Sequence, residues 1–431
     1  METSGQPITK RTGLDHALYP KAVDQAPHYV QAVLKVASRS EVLVNEDIYA
    51  ASGLKLLARG ARIDARQWET LSRHKLLKPL DQTLATSDCI DHVSLARDMD
   101  KVIASHLLLT AMLNRAGDPK GWKPVLGSIR LPQALRFRLT VMREEAAQLY
   151  LHSLRVAIGA YCIGVRLRVG AQQLRDLMLA ALCHDIGEMH TDPSILAPGR
   201  PIQGDERKFI HVHPVTSYVI LQQLNAVSHE VMLAALQHHE RLDGSGYPYR
   251  ERGERIGMPA RILAISETLD AVARHLDHGQ IPIVFRLHQG RLDAAGMDAL
   301  FDLLPPGAGL HDGVHRNIEV ECRLQRICAV LKGWPELQED IRSTSAGELY
   351  QFVGERLLQL QSLARQCGIT PELLELLDLD EDDALIRRDL HTTLDEMGRL
   401  LEGLAFEIER CVPAHEPYGT LSAKIISLLR Q

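Results

Sequence analysis

The sequence predicts a mainly α-helical protein, and three observations carry that prediction. Apolar residues recur at helical spacing through most of the chain, as at Leu174, Leu177, Met178, Ala181 and Leu182, which fall at i, i+3, i+4, i+7 and i+8. Short apolar runs of strand type are confined to one stretch, EVLVNEDIYAASGLKLLARGARI, from Glu41 to Ile63. Proline and glycine clusters then cut the helical pattern into segments, at Gly117-Asp118-Pro119, Pro305-Pro306-Gly307, Gly333-Trp334-Pro335 and Cys411-Val412-Pro413.

Taken in order, residues 1–90 read as a polar, proline-containing lead followed by a small β-hairpin module broken at Ser52-Gly53 and Gly60, with Asp64 capping a helix through Gln67, Trp68 and Leu71. Residues 91–134 form a helical connector, in which Val93, Leu95, Met99, Val102 and Ile103 make the apolar face. A second long helix is expected after Pro132, running through His152 to Val165, within an all-α domain over 135–305. Residues 306–431 make a C-terminal helical region, with helices over Val320–Leu331, Ala346–Gln366, Pro371–Leu377 and Leu385–Arg410. The acidic run at 379–383 reads as a solvated loop, and the leucines from Leu349 to Leu363 as bundle core or as a partner-binding helix.

Bulk composition excludes more than it selects. The net charge of −6 gives no electrostatic reason for the chain to coat nucleic acid or anionic lipid. Seven scattered cysteines without a CxxC pair indicate neither a disulfide framework nor a zinc ribbon. No apolar run reaches the roughly 18–20 residues needed to span a bilayer, and the residues after Met1 are polar, so a cytoplasmic location is expected.

Chemistry concentrates between His184 and Pro248. That stretch contains HDIGE at 184–188, His213-Pro214 and HHERLDGSGYP at 238–248, with seven of the twenty histidines. Imidazoles beside acids, amides and glycines are the composition of a metal site, and a His and Asp ending an amphipathic helix, with Gly187 as its natural stop, would be held rigidly at the edge of a core. His152, in YLHSLRVA, reads alone as a core histidine. Asp243, Gly244, Gly246, Tyr247 and Pro248 read as a tight loop.

The ordered recurrence of HD, HP, HHE and DGSGYP resembles the HD-GYP family of HD metal-dependent phosphohydrolases, over roughly residues 135–300. The resemblance implies an all-α HD-type catalytic domain hydrolysing cyclic di-GMP to pGpG, and on to GMP, with a metal-activated water. It implies two divalent ions, iron or manganese, held by His152, His184, Asp185, His213, His238, His239 and Glu267, with His184 and Asp185 as catalytic residues. Glu240 would orient an imidazole, and His211 is expected to be exposed. The loop at 243–248 and the helical C-terminus are the surfaces on which a signalling partner or a second copy would dock.

Three positions depart from the family pattern. The lysine of the HDIGK motif, which meets substrate phosphate, is Glu188; the last ligand, an aspartate in the family, is Glu267, with Asp270-Ala271 in register three residues on; and the Arg-Pro-Tyr stretch that follows is absent. Arg274, Arg200 and Lys208 are then the candidate substrate-binding cations, with Arg207 beside them. Gln148 stands where some members hold a third metal with a glutamate, so two ions are expected. These departures favour the alternative function, a catalytically degenerate module acting as nucleotide sensor or interaction scaffold.

Overall fold

The computed structural model describes residues 27–196, 200, 206–225, 227–306, 317–343, 348–367, 369, 384–411 and 419–430. They divide into two compact units, one comprising residues up to 274 with 290–305, the other 275–289 with 306–431. The expected helix at 371–377 and the acidic run at 379–383 lie outside the described residues.

The first unit begins with α1 (Pro27–Arg39), in a region whose sequence reads as a polar lead. Two small antiparallel pairs follow. Strand β1 (Val42–Val44) pairs with β4 (Leu84–Thr86), Val42 opposite Thr86, and β2 (Ile48–Tyr49) pairs with β3 (Lys55–Leu57) as the expected hairpin. Helix α2 (Ala65–Ser72) starts where Asp64 accepts from the amides of Arg66 and Gln67 at 2.8 and 3.0 Å, satisfying donors that have no partner inside the helix. A single turn, α3 (Leu80–Thr83), precedes β4.

The expected helical run over 91–116 is divided. Helix α4 (His92–Ser105), opened by an Asp91–Ser94 capping box, stops at an extended His106, and α5 (Leu107–Arg115) begins there. The Thr110 hydroxyl donates at 2.9 Å to the Ile103 carbonyl, which also accepts from the His106 amide at 3.1 Å. Leu95, Met99 and Val102 are buried, but Val93 is 76% exposed, because it lies in the first turn before the apolar stripe meets the core. After α6 (Trp122–Gly127), the long helix expected from Pro132 is likewise two, α7 (Gln133–Glu145) and α8 (Ala147–Arg166), hinged at Ala146.

Helix α8 is the centre of this unit, buried almost continuously from Ser153 to Gly164. It packs on α9 (Ala171–Cys183) and on α13 (Met258–Ala273). The backbones of α8 and α13 come close because Gly159 has no side chain: a Cβ there would lie 2.4 Å from the Ser266 hydroxyl, which itself donates to the Val156 carbonyl at 2.8 Å. Burying each Leu, Ile or Val of these helices contributes roughly 1.5–3 kcal/mol. That rigid crossing fixes where His152 meets the residues of α13.

Helices α10 (Arg207–His211), α11 (His213–Leu224) and α12 (His229–Gln237) complete the ring around the α9 terminus. Gly187 follows that terminus, but it does not stop the helix by left-handed geometry. Its role is close approach, since a Cβ there would lie 2.3 Å from the His213 carbonyl oxygen and 2.8 Å from the Ser217 amide. The segment with α14 (Ile281–Leu287) belongs to the second unit, and the chain returns to the first with α15 (Ala294–Leu303).

In the second unit α16 (Asn317–Ser343), α17 (Glu348–Gln366), α18 (Ala384–Cys411) and α19 (Gly419–Arg430) bury Leu324, Trp334, Leu357, Leu401 and Ile425 in one core. Here Gly333-Trp334-Pro335 does not end a helix, and Pro335 sits inside α16. Pro335 removes one backbone hydrogen bond there, and Trp334 beside it is buried in the core. Leu357 and Leu360 are core residues, while Leu358 is 51% exposed. Residues 275–289 join this unit through His288 Nε2, 2.7 Å from Glu396 Oε1, and Gln280, which donates to the Thr392 hydroxyl at 2.5 Å.

Candidate metal centre

The apolar face of α9 is buried along its length, so the helix delivers His184 and Asp185 into the interior, where they are 0% and 3% exposed. His213 enters at the start of α11 and His238 just past the end of α12, both fully enclosed. These three rings share one local device. Nδ1 of His184 lies 2.7 Å from the Ala181 carbonyl, Nδ1 of His213 2.6 Å from that of Ile210, and Nδ1 of His238 2.8 Å from that of Ala235. A carbonyl only accepts, so each Nδ1 carries the hydrogen and each Nε2 presents a lone pair when the ring is neutral.

Those Nε2 atoms converge on Asp185. Oδ1 lies 3.1 Å from His213 Nε2 and 3.3 Å from His238 Nε2, while Oδ2 lies 3.1 Å from His184 Nε2 and 3.5 Å from His152 Nε2. Glu267 Oε2 closes the second group, 2.8 Å from His152 Nε2 and 3.2 Å from His184 Nε2. Two sets of potential ligand atoms result, Asp185 with His213, His238 and His239, and Asp185 with His152, His184 and Glu267, all within 4.8 Å of one another in each set.

The donor chemistry fits cations. The Nε2 atoms of His213 and His238 stand 3.2 Å apart, and two neutral rings already bonded through Nδ1 oppose lone pairs at that distance. Asp185 Oδ1 is buried between them without a properly directed hydrogen bond, although such an acceptor ordinarily costs about 1–3 kcal/mol. Imidazole nitrogens with carboxylate oxygens suit iron, manganese or zinc. The carboxylates make the pocket favour positive charge in any form. Burial alone would depress His184, but Asp185 and then Glu267 outweigh it and push the ring up to about 10. His238, more burdened by burial and by neighbouring histidines, is pushed down to about 4. Against their own burial, Asp185 and Glu267 are both held well below the usual carboxylate range, by His184 and His213 and by His152 respectively.

His152 is held differently from the other three. Its Nδ1 meets Asp270 Oδ2 at 2.7 Å, and the same carboxylate accepts from Arg155 Nε at 2.5 Å and Nη2 at 3.1 Å. The Asp270-Ala271 pair is visible in the sequence only as a register mark; its work as the orienting carboxylate of His152 is a contact across 118 positions. Glu240 does not touch an imidazole. Its carboxylate accepts from the Tyr249 and Glu251 amides at 2.6 and 3.1 Å, pinning the chain just after the loop.

That loop borders the centre through Tyr247, whose ring stacks on His239 at 4.6 Å and on His211 at 4.1 Å. His211 is therefore partly covered rather than exposed. Gly244 takes a φ of +79°, and Gly246 leaves no room for a side chain, since a Cβ would lie 2.4 Å from the His239 carbonyl oxygen and the Arg241 amide. Asp243 accepts from the Ser245 amide and hydroxyl at 2.9 and 2.6 Å, and Pro248 follows Tyr247.

A cleft of about 1060 Å³ opens over the second ligand set, with His152, Asp185, Glu188, Glu267 and Arg274 in its walls. Glu188 is pushed up to about 7 by burial, then by Asp185. Of the candidate cations, Arg274 lines the cleft. Arg200 and Lys208 do not: Arg200 is held by Glu206 at 2.9 and 2.6 Å, and Lys208 lies over the Phe209 ring.

Comparison with known proteins finds matches over the same part of the chain. The family model described as HD domain matches residues 138–280. A cyclic di-GMP phosphodiesterase of Pseudomonas aeruginosa is 28% identical over 45% of this chain and 48% of its own length. A 3′3′-cGAMP-specific phosphodiesterase of Vibrio cholerae is 36% identical over 28% of each chain, and a cyclic di-GMP phosphodiesterase response regulator of Xanthomonas campestris is 34% identical over 27% of this chain and 32% of its own. The matched segments thus span about half of the first relative and about a third or less of the other two. An HD domain matches residues 138–280, and the HD and GYP motifs both lie at the ligand cluster, so this segment of the chain is similar to proteins of the HD-GYP family.

Proposed function

We propose that this protein is a metal-dependent phosphodiesterase that opens a cyclic dinucleotide, cyclic di-GMP foremost, to its linear form. The observation that carries the reading is the position of Asp185, one buried carboxylate with an oxygen toward each of two ligand sets. One ion would be held by His152, His184, Asp185 and Glu267, the other by Asp185, His213, His238 and His239, with iron or manganese suited to these donors. Bound there, two ions would supply Lewis acidity and an acidified water for attack on phosphorus.

The chain's own residues do the rest. Three backbone carbonyls and Asp270 fix the ring faces so that no reorientation is needed on binding. Arg274 stands in the cleft wall as a cation for substrate phosphate. The cleft has the volume of a nucleotide-sized site. Because the relatives named above act on cyclic di-GMP or 3′3′-cGAMP, both belong in the substrate panel. Among the described residues no helix is long and apolar enough to cross a membrane, and we place the activity in the cytoplasm.

One observation favours a second reading, in which the module senses nucleotide without turnover. Glu188, pushed up to about 7, lines the cleft where the family motif has a lysine, so it supplies no cation there and, once ionised, opposes a phosphate. The deciding experiment is hydrolysis of both dinucleotides by protein purified without oxygen and loaded separately with iron and manganese, with metal content measured on the same samples. Linear product that disappears in Asp185→Ala supports the enzyme. Two bound ions with nucleotide binding and no product would replace it with the sensor, and protein that binds no metal would overturn both.

A further inference from the structure

The N-terminal helix forms one wall of the cleft. His28, Gln31, Ala32 and Lys35 all line it, and they fall at i, i+3, i+4 and i+7 of α1, a single helical stripe. The opposite side of α1 is anchored, with Tyr29, Val30, Val33 and Val36 buried. Tyr29 donates to Asp81, which pairs with the buried Arg138; that guanidinium lies 4.0 Å from the Tyr29 ring centroid and 2.9 Å, through Nη1, from His190 Nε2. The His190 ring in turn stacks on Tyr29 at 5.1 Å. Its segment, Ile186–His190, also carries Glu188, so α1 is tied to the very turn on which the motif lysine is missing.

We propose that α1 completes the substrate site, with Lys35 contacting a substrate phosphate and so standing in for the absent motif lysine. This rests on the phosphodiesterase reading and adds a specificity-determining residue to it. Lys35 is free to serve: its side chain is 65% exposed, and its ammonium reaches Glu145 only at 4.0 Å, while Arg39 already occupies that carboxylate. In the cleft wall it shares with Arg274 the task of offsetting Asp185, Glu188, Asp192 and Glu267 toward an anionic ligand. A point-charge ammonium on a flexible stem tolerates the range of phosphate positions that a ring-opening reaction presents.

The test is steady-state turnover of cyclic di-GMP by the full chain carrying Lys35→Ala, Lys35→Glu or Lys35→Arg, alongside equilibrium binding of the same nucleotide and metal content. Lys35→Ala should raise KM about tenfold, the size of one exposed charge-assisted contact, with kcat and metal content unchanged. Lys35→Glu should raise it further, Lys35→Arg should restore it, and the effect should shrink at high salt. Turnover with the same KM in wild type, Lys35→Ala and Lys35→Glu would overturn the role of α1 and leave the enzyme standing. Binding without turnover would overturn the enzyme, and the ratio of dissociation constants would then decide Lys35. Wild-type protein that neither binds nor hydrolyses the nucleotide would overturn both.

Discussion

Replacing Asp270 with asparagine should empty one metal position and spare the other. In the native site the carboxylate serves three donors at once, His152 Nδ1 at 2.7 Å, Arg155 Nε at 2.5 Å and Arg155 Nη2 at 3.1 Å. An asparagine has one acceptor oxygen, and its NH2 must then face either the imidazole N–H or the guanidinium. If the oxygen serves Arg155, His152 loses the anion that fixes its tautomer and raises its basicity, a change that ordinarily costs about 10–100-fold in metal affinity, or roughly 1.4–2.7 kcal/mol. If it serves His152, a guanidinium whose side chain is 11% exposed loses charged partners, and the cost falls on folding, at about 2 kcal/mol for a pair half broken. Chelator titration with metal analysis separates the two, read beside thermal unfolding. The expected result is weakened binding at the His152, His184, Asp185, Glu267 set, so that stoichiometry falls from two toward one at intermediate chelator, while the set containing His213 and His238 is retained. Arg155→Gln is the control, costing stability while leaving the Asp270–His152 contact. Loss of both ions together from folded Asp270→Asn protein, or loss of neither, would refute the division into two sets around Asp185.

Glu188→Gln should lower KM for the dinucleotide about tenfold at about pH 8 and above, where Glu188, pushed up to about 7, is ionised, with little change in metal content. A carboxylate and a phosphate at ~5 Å and an effective dielectric of ~20 repel by about 3 kcal/mol, and an open cleft screens roughly half of that; an unchanged KM would mean that substrate does not approach this wall. In metal-stripped protein the imidazoles of His184 and His238 together should contribute most stability near pH 6.5. Glu188, pushed up to about 7, offsets this between about pH 4.5 and 7, because its contribution is lost as pH rises through that window. His238, pushed down to about 4, binds fewer protons folded than unfolded, so its contribution rises from pH 4 to about 6.5. His184, pushed up to about 10, binds more protons folded than unfolded, so stability then falls as pH rises from about 6.5 toward 10. Loading metal should abolish the alkaline loss, because ions replace those protons. Chemical denaturation across pH, with and without metal, reads both limbs, and an alkaline loss that persists in loaded protein would contradict the assignment.

What was legible in the sequence was local. His184-Asp185, His213-Pro214 and His238-His239 announce ligand chemistry because each donor group is a dipeptide at a helix boundary, and the carbonyl three residues earlier that fixes each ring is part of the same turn. The capping of α2 by Asp64 and the β2–β3 hairpin are local in the same sense. What sequence reading missed is carried by contacts between distant segments. Asp270 reads as a register mark until α13 crosses α8; Gly187 reads as a helix stop until α11 lies against it; Glu240 reads as a partner for an imidazole until the chain after the loop folds back to its carboxylate. Helix α1 went unseen because its polar stripe, judged without a cleft to face, looks like solvent-exposed lead. The same reasoning governs Glu188. Set against the family motif, it subtracts a cation from the site, but whether the site lacks that cation is decided by what packs there, and α1 brings Lys35 into the same cleft from the other end of the unit. A motif departure is thus a statement about one wall, and activity depends on the charge summed over all of them.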